Sequence, residues 1–177
     1  MKQIRYNTFE TNSSSNHSLH MPETPPARNF TIIPDEDGVI TLRGGGYGHG
    51  GGEKYNDALT KANYIATGAI RGTNWGDEDD EHGDISEEDL PYLAQCLIQA
   101  VREHTGAKKV VIDLRPDAYI DHQSGGAWNT LFKHTGKTYT NSWGDTEHEY
   151  EELDSCDVER LKDFIFDSEA YLLSDEG

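Results

Sequence analysis

Apolar and polar positions alternate with period two across residues 2–9, where Ile4, Tyr6 and Thr8 share one side, and this predicts a strand. Residues 19–21 are expected to return antiparallel to it, giving an N-terminal β-hairpin around a polar loop. Pro22, Pro25 and Pro26 then impose an extended connection. Residues 30–34 and 39–43 flank Asp35-Glu36-Asp37-Gly38 and read as a second hairpin, with Gly38 free to take a positive φ. Tyr55, Leu59, Ala62, Ala66, Ala69 and Ile70 recur at helical spacing and predict a helix from about Glu53 to Ile70. Leu90, Leu93, Leu97 and Val101 mark a second helix, opened by a capping box at Ser86 and Asp89 and stopped near Gly106. Residues 110–114 read as a short buried strand and residues 137–141 as another. Asp154 or Ser155 is placed to cap a last helix that turns Val158, Leu161, Phe164 and Ile165 inward, after which Tyr171, Leu172 and Leu173 dock on the core. There is no internal repeat. The expected class is α+β: a single domain over residues 1–177, with a small mainly antiparallel sheet and about three helices.

Length agrees with that reading, since 177 residues suit one domain. No apolar run approaches the roughly 18 residues of a membrane span, and no signal-peptide h-region opens the chain, so a cytoplasmic location is expected. Cys96 and Cys156 form no disulfide framework and lack a second cysteine at metal-binding spacing. Asp77, Asp79, Glu81 and Glu88 match EF-hand offsets, but His82 stands where the sharp turn needs glycine. Glu147-His148-Glu149 lies in a run of nine acids between Asp145 and Asp163 and reads as surface. Neither a metal nor a cofactor is expected.

Charge changes the picture more. Residues 1–72 hold seven bases and seven acids, whereas residues 73–177 hold eight bases and 26 acids, which is the whole of the net charge of −18. Such a surface repels phosphate backbones and draws basic proteins from a distance. Weak or no binding of free nucleic acid is expected, because that affinity comes from Lys and Arg neutralising phosphates.

The neutral part carries the reactive side chains. Between Glu10 and Ser18 lie Thr11, Asn12, Ser13, Ser14, Ser15, Asn16 and His17. Hydroxyls and backbone N–H groups at a turn can hold phosphate oxygens, His17 can move a proton near neutral pH, and Arg5 on the adjacent predicted strand offers a fixed positive charge. A solvated Ser/Asn turn is the plainer alternative. Asp121-His122-Gln123-Ser124 before Gly125-Gly126 is a second constellation, in which a turn would let Asp121 orient His122. The glycine run at residues 44–52 formally contains G-x-G-x-x-G, yet no βαβ alternation follows, and a loop is the better reading. His134-Thr135-Gly136-Lys137-Thr138 ends like a P-loop, but Leu131 occupies the place of its first glycine.

The phrase FETNSSSNHSL at residues 9–19 resembles the FETNSSSSHSL opening of a family of proteins encoded by phages and other mobile elements, with Asn16 in place of a fourth serine. EKYNDALTKANYI and YIDHQSGG are similar to later segments of that family. A weaker similarity, in size, acidity and opening, is to anti-CRISPR proteins, some of which inactivate an effector nuclease by acting on its guide RNA. The resemblance implies an anti-defence protein whose partner is a basic ribonucleoprotein, such as a CRISPR effector carrying its guide.

Three functions fit these features. In the first, RNA is cleaved without metal: His17 and His122 exchange the proton roles, Arg5 stabilises charge, and Asn12, Ser13, Ser14, Ser15 and Ser18 hold the phosphate. Glu10, Asp121 and Ser124 support them. In the second, clustered carboxylates imitate DNA phosphates and occupy the basic groove of a nucleic-acid-binding protein without catalysis. In the third, the Ser-rich and Gly-rich loops sequester a nucleotide.

Overall fold

The computed structural model describes residues 15–22, 25–47, 53–71, 87–113, 118–120, 138–140, 146–148 and 157–176. The strands are β1 (Ser15–His20), β2 (Val39–Arg43), β3 (Gly46–Tyr47), β4 (Glu53–Tyr55), β5 (Lys109–Asp113), β6 (Tyr119–Ile120), β7 (Thr138–Thr140), β8 (Thr146–His148) and β9 (Tyr171–Glu176). The helices are α1 (Ala58–Arg71), α2 (Tyr92–Thr105) and α3 (Val158–Phe166), with a 3-10 turn at Glu87–Asp89. The fold is α+β, and its strand pairing is mainly antiparallel.

β9 is the middle strand of a three-stranded antiparallel sheet, flanked by β1 and β4. β1 and β9 alternate as a half-buried sheet must. His17, Leu19, Leu172 and Ser174 turn inward and are buried, while Ser18, His20, Tyr171 and Leu173 are partly exposed on the other side. Of Tyr171, Leu172 and Leu173, all expected to dock on the core, only Leu172 does so, because alternation along the strand turns its two neighbours to the other face. Residues 2–9, expected to form the first strand of the N-terminal hairpin, lie outside the described residues, and the antiparallel partner found for β1 is β9.

The second predicted hairpin is corrected. Its turn forms: Gly38 takes φ +81°, and the Asp35 carboxylate accepts from the backbone N–H groups of Asp37 and Val39. Residues 30–34, however, are not a strand. Phe30 N–H instead donates to the carbonyl of Phe166 at the end of α3 (2.8 Å), and β2 takes β5 as a parallel partner, from Val39 opposite Lys109 to Arg43 opposite Asp113. β3 and β6 are likewise parallel, and β7 and β8 are antiparallel.

α1 begins later than its apolar spacing suggests. Glu53–Tyr55 is strand β4, and Asp57 starts the helix by accepting the Thr60 N–H at its carboxylate (2.8 Å). Asp57→Ala is expected to cost about 1 kcal/mol of stability, the usual loss of an N-cap, readable by urea denaturation. α2 ends where expected, with Gly106 at φ +72° donating its N–H to the Arg102 carbonyl. It opens at Pro91, which offers no side-chain cap, rather than at Ser86, which lies outside the described residues; Glu87–Asp89 form a 3-10 turn before it. α3 is capped by Asp157, whose carboxylate accepts the Arg160 N–H (3.0 Å), rather than by Asp154 or Ser155.

The three helices pack on one another, with α1 also against β2 and β6 and α2 against β5, around one core that includes Ile40, Leu42, Ile65, Leu97, Val101, Phe164, Phe166 and Leu172. A strap at residues 25–30 is sewn onto α3 and its exit. Ala27 N–H donates to Asp167, Asn29 and Ser168 exchange hydrogen bonds, and Arg28 pairs with Glu159 and Asp163. Lys162 extends this network to Glu103 of α2.

Candidate functional site

The alternation of β1 decides what its side chains can do. His17 faces the interior at 7% exposure, and its Nδ1 lies 3.2 Å from the Tyr64 hydroxyl on α1, with the two rings edge-to-face. Ser18, the next residue, faces the other way and its Oγ meets His20 Nε2 at 3.0 Å. Two groups expected to act on one phosphate are thus separated by the period-two geometry of the strand. Ser15 is the first residue of β1, its Cα paired with that of Glu176. Arg5, Glu10, Asn12, Ser13 and Ser14, and Asp121, His122 and Ser124, lie outside the described residues.

Behind His17 stands a layer of phenols. The Tyr47 ring packs edge-on to Tyr64 at 5.0 Å and to Tyr55 at 6.1 Å. Burial, reinforced by Tyr47, pushes the Tyr64 hydroxyl up. Burial, with Tyr55 and Asp57 nearby, does the same to Tyr47. Burial and the hydrogen bond to Glu53 push Tyr55 up to about 12. All three stay protonated at physiological pH, so the partner identified for His17 is a neutral phenol.

One topological detail bears on the second constellation. β6 pairs Ile120, the residue before Asp121 in the sequence, with Tyr47, whose ring packs on Tyr64.

Sequence reasoning missed Tyr64 and Lys61. α1 carries only Lys61 and Arg71 as charges among fourteen residues, and a helix so poor in charge is buried on most of its circumference. Lys61 goes inside with it, while Leu59, assigned to the inward stripe, is 43% exposed. Among the described residues no three His, Cys, Asp or Glu side chains converge as metal ligands, and no helix is long and apolar enough to cross a membrane.

A small α+β protein with a three-stranded antiparallel sheet, a buried His–Tyr pair and an acidic carboxy-terminal part is the class that fold and site define. Comparison of the chain with protein-family models, curated proteins and solved structures returns no match.

Proposed function

We propose that this chain is an anti-defence protein of a mobile element that docks on a basic ribonucleoprotein and inactivates it by occupying its cationic surface. The observation that carries the reading is the placement of charge: residues 73–177 hold 26 acids against eight bases. Some of those acids are neutralised within the fold, as Glu159 and Asp163 are by Arg28 and Lys162. The nine acids at residues 77–90 are the densest run in the chain and the first candidates for the docking surface. The seat of His17 in the core, against Tyr64, supports occupation over catalysis.

Cleavage of the guide RNA by His17 and His122 is the second reading. It is supported by the pairing of Ile120, two residues before His122 in the sequence, with Tyr47, whose ring packs on Tyr64. Incubation with a guide-loaded CRISPR effector, reading RNA length and target cleavage together, separates the two. The expected result is a blocked effector with intact guide, and a block that weakens steeply with salt. Neutralising the acids of residues 77–90 should relieve it. A shortened guide that His17→Ala leaves whole would replace occupation by cleavage, and an effector unaffected at low salt would remove both readings.

A further inference from the structure

Among the described residues Arg28 is the one non-glycine residue with a positive φ, at 45°. Side chains as large as arginine rarely hold that conformation, so the strap is strained at its centre. Packing does not offset this. Pro25, Pro26, Ala27 and Asn29 are exposed, Arg28 is only partly buried, and the two prolines have no N–H to donate. Residues 25–29 are therefore held by polar bonds rather than by apolar burial, as in segments that open locally while the rest of a protein stays folded. Phe30 differs. Its N–H donates to the Phe166 carbonyl, its carbonyl meets His104 Nε2, and its ring centre lies 5.7 Å from the buried Lys61 ammonium, so the strap has a fixed end there.

What those polar bonds cover is a row of carboxylates. Glu159 and Asp163 stand one turn apart on α3, and Asp167 follows as its C-cap. Like charges at that spacing repel unless a cation lies between them. The strap lays its donors along the row. Arg28 Nε donates to Asp163 (2.7 Å), the Arg28 guanidinium also reaches the Glu159 carboxylate (2.8 Å) and carbonyl (3.2 Å), and the Ala27 N–H donates to Asp167 (2.7 Å). Asn29 and Ser168 fasten the next residue. Lys162 shares Glu159, whereas Asp163 takes its ion pair from Arg28.

We propose that residues 25–29 are an autoinhibitory strap, which swings out about Phe30 and hands Glu159, Asp163 and Asp167 to an arginine-rich segment of the docking partner. The chemistry of that segment follows from the strap that stands in for it: the row is filled by a guanidinium and a backbone N–H, and an arginine-rich chain carries both. A phosphate backbone would be repelled. Exchange is favoured from two directions. The Glu159 side chain is 64% exposed and open to an incoming cation, and release frees Arg28 from its strained conformation. α3 thus shows its full acidic row only to a basic protein. The inference rests on the ribonucleoprotein reading for its partner and names the side chain that partner presents.

The test is amide hydrogen exchange of the full chain, read by NMR at fixed ionic strength with and without a hexaarginine peptide. Once the peptide saturates the shifts of Glu159 and Asp163, the Ala27 and Ser168 amides should exchange about tenfold faster, the share of one hydrogen bond to a charged group, while the Phe30 amide keeps its protection. Arg28→Asn tolerates the positive φ and removes the guanidinium. Without peptide it should already show the faster exchange, and it should bind the peptide more tightly than the wild-type chain. Asp163→Asn should also speed exchange at Ala27 but bind the peptide more weakly. Glu159 and Asp163 signals that do not move, or an Ala27 amide that stays protected under saturating peptide, would overturn the proposal. No effector is present, so a strap that stays shut leaves docking through residues 77–90 to its own experiment.

Discussion

Lys61→Ala is expected to lower the unfolding free energy by about 3 kcal/mol, the net of losses and a recovery argued from the buried amine. Lys61 is wholly buried, and its Nζ donates to the carbonyls of Asp167 (2.7 Å) and Ala170 (2.9 Å), between the rings of Phe30 and Phe164. Truncation empties the volume of its stem, a change of the class that costs about 2–5 kcal/mol. It also strands two buried carbonyls at about 1–3 kcal/mol each. Against this, burial brings the amine down to about 8 from 10.5. At about 1.4 kcal/mol per pH unit, removing the ammonium recovers about 3 kcal/mol near neutral pH. Lys61→Met keeps most of the volume and should cost about 1 kcal/mol. Urea denaturation of the three proteins checks the order, and an alanine variant as stable as the methionine one would show that the stem fills no essential space.

The same amine predicts a pH signature. Its native pKa lies below its unfolded value, so between pH 8 and 10.5 the unfolded chain binds more protons and stability rises with pH. The raised phenols of Tyr47, Tyr55 and Tyr64 have the opposite sign: the unfolded hydroxyls ionise near pH 10 while the native ones do not, and stability then falls. The wild-type chain should therefore be most stable at roughly pH 9–10, and Lys61→Met should keep the fall and lose the rise.

Phe166→Ala is the second large effect, expected to cost about 4 kcal/mol, within the range for deleting a buried phenyl ring. Phe166 is fully buried at the end of α3 and stacks on His104 of α2 at 3.8 Å. Its carbonyl accepts the Phe30 N–H, and the Phe30 carbonyl in turn lies 3.0 Å from His104 Nε2, so the ring fills a corner where strap and two helices meet. The backbone bonds survive the substitution, which confines the loss to packing. The urea midpoint should fall with the m-value unchanged. A loss under about 1 kcal/mol would mean that the corner collapses to refill the space.

Periodic segments were legible in the sequence. The inward residues Leu161, Phe164 and Ile165, the stop at Gly106 and the existence of β5, of which only Val110 is buried, follow from spacing, capping chemistry and β-branched content. Pairing was not. The turn at residues 35–38 is sound, yet a turn fixes only where the chain reverses, and Phe30 donates to the carbonyl at the end of α3 instead of to a strand partner. The start of α1 was misplaced because Tyr55 fits a helical stripe and a strand face equally well, and the Asp57 cap decides between them. At the site, residue types could group His17 with Ser18, but the strand that points them to opposite faces depends on which face β9 covers.

That arrangement of β9 carries a kinetic consequence. The strand that joins β1 to β4 comes from residues 171–176, so two pairings of one sheet wait for a segment far along the chain. Bringing residues 15–20 to it closes a very long loop, and such contacts slow folding through their entropy. On the ribosome the growing chain must therefore hold both flanking strands without their β9 partner until that late segment has been synthesised, and this interval is when chaperones or aggregation compete for it.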